Sequence, residues 1–219
     1  MLALALDAST RTTHLALRRD NNLLATQDLP PQERHQLDLL PALADLFADH
    51  DLQPADLTHL AIVTGPGSFT GLRAACAAAQ MLALTHPHLT LHPIPTLHAL
   101  ARSPRLLAVG PTALLLARKR DTAYAALAHH GRLTTEPAVH PIESFLANTP
   151  RPLHILADTD LQLQLPGVTQ LPTHDVAPDP AAVLDLIPET EPIAPHELQP
   201  VYPREPEALT LWQQRKQHT

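Results

Sequence analysis

The chain has 219 residues, of which 44% are hydrophobic and 17% charged, and its formal net charge is −7. The length suits one large domain or two small lobes, and the acidic balance argues against a protein that grips nucleic-acid phosphates by itself. Its apolar runs fall far short of the ~18 residues that a membrane span needs, and Asp7 interrupts the first of them, so we expect neither a membrane helix nor a signal peptide. Because Cys76 is the only cysteine, no internal disulfide can form, and we expect a cytoplasmic protein.

The first hundred residues carry alternating strand and helix patterns. Short apolar runs bounded by polar turns predict strands, and apolar residues at spacings of three and four, or runs of alanine, predict helices. The strands are predicted at 2–6, 14–18, 23–28, 59–63 and 89–92, and the helices at 36–50, 71–85 and 96–102. The predicted order is therefore β-β-β-α-β-α-β-α, and it begins with an antiparallel meander.

The second half gives weaker patterns and many prolines. Strands are predicted at 106–109, 113–117, 124–128 and 153–157, and helices at 143–148, 181–187 and 205–217. We predict a first lobe over 1–102, a smaller proline-rich second lobe over 103–204, and a C-terminal helix over 205–219 that packs back on the first lobe. That last helix contains Trp212, which we expect to anchor it.

Glycine is concentrated in one loop. Three of the six glycines lie in the sequence GPGSFTGLR, at positions 65–73, between a predicted strand and a predicted helix. A Walker loop needs lysine where Leu72 stands, and a dinucleotide fingerprint needs glycine where Thr70 stands. Ser68 lacks the flanking glycines of a nucleophile elbow. The loop is either a tight strand-to-helix connection or a place where an anion or a partner's backbone approaches closely.

GPGSFTGLR closely resembles the glycine loop of the TsaB (YeaZ) family. The supporting segments are LALALDAST before it, AAAQMLAL after it, HQLDLLPAL, IPTLHALA and PVYPR, and the resemblance is strong up to about residue 102. It implies a two-lobed α/β fold of the actin, sugar-kinase and Hsp70 superfamily, of ribonuclease-H type, with mixed sheets flanked by helices. The predicted order of elements is compatible with that fold.

The resemblance also implies a function. TsaB is the non-catalytic subunit that pairs with the catalytic subunit TsaD to transfer a threonylcarbamoyl group to the adenosine next to the tRNA anticodon. The complex uses ATP and threonylcarbamoyl-adenylate, TsaE hydrolyses ATP, and tRNA is reached only through the complex. TsaB alone often forms a homodimer through the same surface. We therefore expect no cofactor of its own and no catalytic site in this chain.

The partner interface is predicted around the glycine loop and the helices that flank it. Its predicted residues are Gly65, Pro66, Gly67, Ser68, Phe69, Thr70, Gly71, Arg73, Ala74, Ala77, Ala78, His35 and Leu39. If the glycines admit a foreign backbone, a bulky residue at Gly67 or Gly71 should abolish partner binding and leave the chain folded. Where family members often have glycine on the second helix, this chain has Ala75, Ala77 and Met81.

A metal site is not predicted. Asp7 occupies the position at which active superfamily members place a carboxylate beside metal and phosphate, but a single carboxylate makes a poor site, so we interpret it as vestigial. The H-x-x-x-H motif of TsaD falls on Thr96 and Leu100, which cannot act as imidazole ligands. A strand would separate His88 from His92 by ~13 Å.

Other positions depart from the family pattern. Leu116 replaces the usual aspartate before an exposed turn of charged residues at 118–121, and Pro203 replaces leucine in PVYPR, although Tyr202 and Arg204 remain candidates for contacts that close the lobes. Two alternatives stay open: a small nucleotide-dependent kinase or acyltransferase that uses Asp7 and the glycine loop, and a homodimeric structural protein.

Overall fold

The structure, a computed structural model, describes residues 1–30, 39–159, 161 and 166–204. The first sheet contains β1 (Leu2–Asp7), β2 (Thr13–Arg19), β3 (Asn22–Leu29), β4 (His59–Gly65) and β5 (Thr90–Pro95). The helices beside it are α1 (Leu39–Ala48), α2 (Phe69–Thr85) and α3 (Thr96–Ala101), followed by α4 (Pro104–Ala108). The strand order is β3-β2-β1-β4-β5, with β2 antiparallel to β1 and β3, and with β4 parallel to β1 and β5.

The second sheet repeats this topology. It contains β6 (Thr112–Lys119), β7 (Thr122–His129), β8 (Arg132–Leu133), β9 (Ala138–Pro141), β10 (Leu153–Ala157) and β11 (Val168–Gln170), with α5 (Ile142–Ala147) between β9 and β10. The order is β11-β10-β6-β7-β8, and β9 also pairs with β7. As in the first sheet, a central strand has antiparallel neighbours on one side and parallel neighbours on the other. The chain thus holds two copies of a ribonuclease-H-type sheet, in agreement with the predicted two-lobed α/β fold.

Residue size alternates along β1, and this sets what covers each face of the first sheet. The leucines of LALALD face α1 and α2, where they pack with Leu43, Phe47 and Leu82. Its alanines face the opposite side, where α6 (Pro180–Leu184) packs with Val183 and Leu184 against them. Small side chains on that side let a short helix lie close to the strands.

The chain therefore returns to the first sheet after the second one. Arg18 on β2 holds α6 through Asp185 Oδ1 at 2.5 Å and the Leu184 carbonyl at 2.7 Å. Further on, Ile193 N donates to Leu91 O at 3.1 Å and Val201 N donates to Thr64 O at 2.8 Å. We call residues 193–204 the return segment. In the structure, the part of the predicted second lobe beyond about 178 thus packs on the first, and the predicted C-terminal helix lies outside the described residues.

Most predicted elements are confirmed with shifts of a few residues at their ends, and the differences have physical causes. The predicted strand at 106–109 is wrong, because Pro104 starts a short helix there with Ser103 before it. The strand predicted at 89–92 continues through Pro93 and Pro95 as β5; it lies at the edge of its sheet, where proline is tolerated. The helix predicted over 181–187 ends at Leu184, and a 3-10 turn follows at Ile187–Glu189.

Candidate partner-binding face and inter-lobe cleft

The glycine loop packs against its own chain. Ser68 N donates a hydrogen bond to Ser9 O at 2.7 Å, which joins the loop to the turn between β1 and β2. A Cβ at Gly67 would lie 2.4 Å from Ser9 O, and a Cβ at Gly71 would lie 2.2 Å from Ala8 O. Real Cβ atoms do not approach oxygen this closely, so both positions require glycine. The backbone that these glycines admit is therefore the chain's own, which corrects the expectation that they serve the approach of a foreign backbone.

An exposed stripe runs along α2. Ser68 caps the helix by accepting a hydrogen bond from Gly71 N at 3.3 Å. Phe69, Met81 and Leu84 are 53%, 44% and 72% exposed, although all three are large and apolar. Residues four apart lie on one face of a helix, so these side chains share a face with exposed Arg73 and Ala77. We call Phe69, Arg73, Ala77, Met81 and Leu84 the α2 face; over 17 residues the helix is ~25 Å long.

The return segment extends the α2 face at its N-terminal end. Tyr202 packs on Phe69 with ring centroids 5.4 Å apart, and its hydroxyl accepts a hydrogen bond from Arg73 Nε at 3.2 Å. The Arg73 guanidinium lies 3.8 Å from the centre of the Phe69 ring. Gln80 fixes the segment by donating to the carbonyls of Pro195 and Leu198. Tyr202 thus belongs to this exposed surface, a role that sequence reasoning missed because 129 residues separate it from Arg73.

The residues predicted at the partner interface divide by burial. Exposed ones are Gly67, Phe69, Thr70, Arg73 and Ala77, and half-buried ones are Ser68 and Ala74. Buried ones are Gly65, Pro66, Gly71, Ala78 and Leu39. Leu39 packs inward because α1 turns its leucines toward β1, so it does not lie at the surface as predicted. His35 lies outside the described residues.

Asp7 is fully buried at the end of β1. Its Oδ1 accepts a hydrogen bond from Ser9 N at 2.8 Å, whereas its Oδ2 has no partner among the described residues. Burial raises the pKa of this carboxyl, and the nearby Ser9 and His14 oppose the rise. In the described part of the chain, no three His, Cys, Asp or Glu side chains come close enough to hold a metal ion.

A cavity of about 710 Å³ lies between the two sheets, beside Asp7. The first lobe lines it with residues of the β1–β2 turn, the glycine loop and the start of α3, and the second lobe with the ends of β6 and β10 and a 3-10 turn. The lining residues are Ser9, Thr10, Arg11, Thr12, His14, Pro66, Gly67, Ser68, Thr96, Leu116, Ala117, Asp158, Thr173, Val176 and Ala177. Asp158, which sequence reasoning missed, follows a buried strand just as Asp7 does. Its Oδ2 accepts a hydrogen bond from Ala117 N at 2.6 Å, and burial raises its pKa.

Arg204 joins the lobes beside this cleft. It donates hydrogen bonds to the Ala117 carbonyl and, at 2.7 Å, to Thr122 Oγ1, both in the second sheet. Val201 is hydrogen-bonded to Thr64 of β4, so the four residues 201–204 connect the two lobes. The predicted lobe-closing contact of Arg204 is thus confirmed, whereas the ring and hydroxyl of Tyr202 contact Phe69 and Arg73 of α2 in the first lobe. The predicted exposed turn at 118–121 is also confirmed.

The remaining candidate residues have structural surroundings. Thr96 and Leu100 are buried in α3, and Cys76 is buried on α2, where burial raises the pKa of its thiol to about 11. His92 does not face His88. Its Nδ1 lies 3.3 Å from the Thr190 carbonyl, which can only accept, so its Nε2 accepts from His59 Nδ1 at 2.9 Å. Burial lowers the pKa of both of these histidines.

Two duplicated sheets around a cleft define a two-lobed α/β protein of the actin-like class, and solved structures share this fold. A Pseudomonas aeruginosa protein described as similar to peptidase YeaZ has a TM-score of 0.75 and 23% identity, covering 93% of this chain and 99% of its own. YeaZ from the same organism has a TM-score of 0.70 and 21% identity, covering 92% and 99%. No helix in the described ranges is long and apolar enough to cross a membrane.

Sequence comparisons identify the family to which the chain belongs. The model of the family TsaD, tRNA N6-adenosine threonylcarbamoyltransferase, matches residues 30–167, more than half of the chain. The tRNA threonylcarbamoyladenosine biosynthesis protein TsaB of Bacillus subtilis is 35% identical over 83 residues, and that of Escherichia coli 38% over 84 residues. Each match covers 38% of this chain and 36% of the relative, so it spans little more than a third of the relative's length. The chain belongs to the threonylcarbamoyltransferase family and, within it, to the TsaB (YeaZ) group.

Proposed function

We propose that this chain is a non-catalytic partner subunit in the cytoplasmic biosynthesis of threonylcarbamoyladenosine in tRNA. It pairs with a TsaD-type catalytic subunit through the α2 face, and it forms a homodimer through the same face when alone. ATP, threonylcarbamoyl-adenylate and a TsaE-type ATPase act in the complex, and tRNA is bound there rather than by this chain. The names of the TsaB relatives support the pathway.

The observation that carries the proposal is the exposed apolar stripe on α2. Phe69, Met81 and Leu84 leave apolar surface in water along one helix face, and covering that surface is favourable. Small residues between them, such as Ala77, let a second helix approach closely. Arg73 and Tyr202 add a cationic and aromatic cluster at one end, a composition enriched in protein interfaces.

The surroundings of Cys76 argue against a thiol enzyme. The Cys76 thiol is buried and has a pKa of about 11, far from that of a nucleophile at neutral pH. The rival kinase or acyltransferase would turn over Mg-ATP as an isolated chain. The partner-subunit proposal expects activity only in the mixture.

Size-exclusion chromatography with light scattering tests the proposal, on the chain alone and mixed with the TsaD-type subunit of the same genome, followed by a threonylcarbamoylation assay. Met81→Arg should weaken association at least tenfold, because it places a charge in the middle of the α2 face. Val139→Arg is the matched control, since Val139 is 41% exposed against 44% for Met81 but lies on β9 in the second lobe. Equal binding by both variants, or no association in the presence of ATP and tRNA, would refute the proposal.

A further inference from the structure

The inter-lobe cavity has the size of a small-molecule site. Ligand sites in proteins occupy roughly 300–1,000 Å³ and are mostly apolar with a few convergent polar groups. Here Pro66, Leu116 and Val176 supply apolar wall, and the cavity measures about 710 Å³. None of these side chains is needed for the α2 face, so the cavity and that face are separate surfaces of the molecule.

Unsatisfied polar atoms cluster at the first-lobe side of the cavity. Thr96 Oγ1 has no hydrogen-bond partner among the described residues, although Thr96 is 2% exposed and lines the cavity. Ser9, 6% exposed, also lines it; its side chain lies near enough to Asp7 to affect the pKa of that carboxyl, but its hydroxyl makes no hydrogen bond of normal geometry. Behind it, Asp7 Oδ2 is unpartnered. Buried polar groups normally have partners, so unpartnered atoms such as Thr96 Oγ1 in the lining indicate that a ligand group supplies one.

The kind of atom that is unsatisfied identifies the ligand group. Asp7 Oδ2 is an acceptor. His14 also lines the cavity and its Nδ1 lies 2.7 Å from Asp28 Oδ1; in the tautomer whose Nδ1–H donates to that carboxylate, the buried and unpartnered Nε2 is a second acceptor. The hydroxyls of Ser9 and Thr96 accept as well as donate. A group with several N–H donors and no acceptor satisfies all four, and a protonated amine is such a group.

The charges around the cavity also favour a cationic ligand. Asp7 and Asp158 are the acids beside and in the cavity, and Arg11 is its one basic side chain apart from His14. Arg11 and Asp158 are both exposed, so both lie on the solvent side, whereas Asp7, hydrogen-bonded to Ser9, is fully buried. A triphosphate needs several cations around it, which the lining does not provide. We propose that the inter-lobe cavity binds a small organic molecule with a primary ammonium head, held at Ser9, Thr96 and His14 with the Asp7 carboxyl next to Ser9, and an apolar body that packs on Pro66, Leu116 and Val176.

The test is an NMR titration of the ¹⁵N-labelled full chain at pH 8 with n-pentylamine, and with 1-pentanol and sodium pentanoate as probes of equal size without the ammonium. The amine should cause saturable shifts at the amides of Ser9 and Thr96, and the alcohol and the acid should bind at least tenfold more weakly. Mg-ATP, titrated separately, should leave these amides unshifted.

Thr96→Val removes the unpartnered hydroxyl and keeps the side-chain shape, so it should weaken amine binding at least tenfold. Thr112→Val is the matched control, because Thr112 is equally buried but lies at the start of β6, and its hydroxyl donates to the Gly110 carbonyl. Ser9→Ala provides a second variant should Thr96→Val fold poorly. Equal binding of amine and alcohol, non-saturable shifts, binding of Mg-ATP in place of the amine, or equal affinity of the Thr96 and Thr112 variants would overturn the proposal and leave a cavity that holds water only.

Discussion

Replacing Gly67 by alanine is the sharpest test of how the glycine loop is built. The new Cβ would lie 2.4 Å from Ser9 O, 2.7 Å from Ser9 Cβ and 2.8 Å from Ser9 Cα. Ordinary contact begins at 3.4 Å, so the loop and the β1–β2 turn would have to separate by about 1.0 Å, the difference between 3.4 and 2.4. The hydrogen bond from Ser68 N to Ser9 O, 2.7 Å long, lies at the same place and would be strained.

The cost can be worked out from these contacts. Overpacking of this kind costs ~1–3 kcal/mol, and because backbone is met here we take the upper end. Alanine also restricts the unfolded chain and so stabilises by roughly 0.4–1 kcal/mol where it fits. The net loss in the free energy of unfolding should therefore be ~2 kcal/mol for Gly67→Ala.

Gly110→Ala is the matched control. A Cβ at Gly110 would meet nothing within 4 Å, and neither glycine has a positive φ, so neither substitution is strained by its backbone angle. Gly110→Ala should be neutral or stabilise by up to ~1 kcal/mol. Urea denaturation followed by circular dichroism measures both variants. If Gly67→Ala is as stable as Gly110→Ala within ~0.5 kcal/mol, the loop does not depend on its contact with the β1–β2 turn, and a partner's backbone again becomes the explanation for its glycines.

Four further predictions follow from single groups. Burial lowers the pKa of His59 and His92, so below about pH 6.5 the unfolded chain binds more protons than the folded one. The midpoint of urea unfolding should therefore fall as the pH drops from 7.5 to 5. In His92→Gln the fall should be smaller. Burial raises the pKa of Asp7, so its ionised form destabilises the fold at neutral pH; Asp7→Asn should raise stability by ~1 kcal/mol at pH 7.5, and an unchanged midpoint would contradict this. Arg204→Ala removes two hydrogen bonds to the second lobe and should lower stability by ~2 kcal/mol in the same assay, whereas no loss would mean that the bridge contributes nothing. With a thiol pKa of about 11, Cys76 should react with Ellman's reagent at pH 8 at least ~100-fold more slowly than free cysteine, and rapid reaction in the native chain would show that it is accessible.

Local patterns predicted most of the elements because each depends on near neighbours in the chain. The leucine–alanine alternation of β1 and the alanine-rich run of α2 carry their own periodicity, so these elements could be read directly. The predicted strand at 106–109 is wrong because four apolar residues suit a strand or a helix equally. Ser103 and Pro104, which precede them, favour the start of a helix.

The candidate site was only partly predictable. The glycine loop could be found from the composition. The chain has few glycines, so a cluster of them indicates a place where the backbone conformation or a close approach excludes side chains. Which backbone they meet could not be found, because Ser9 lies more than fifty residues away and its approach depends on β1 and β4 being neighbours. The same holds for Tyr202, Asp158 and His14, because each contacts residues that are distant in the sequence.

The amino-acid sequence by itself determined the order of strands and helices in the first hundred residues, the place of the glycine loop, and the family resemblance that rests on its nine residues. The tertiary structure alone decided that the return segment crosses back to the first sheet, that Leu39 and Ala78 are buried while Phe69 and Met81 are exposed, and that unpartnered acceptors meet at the cleft. The physical reason is the separation along the chain over which each effect acts. Propensity and periodicity act over a few residues, whereas burial, clashes and unsatisfied hydrogen bonds depend on which segments the sheet topology brings together.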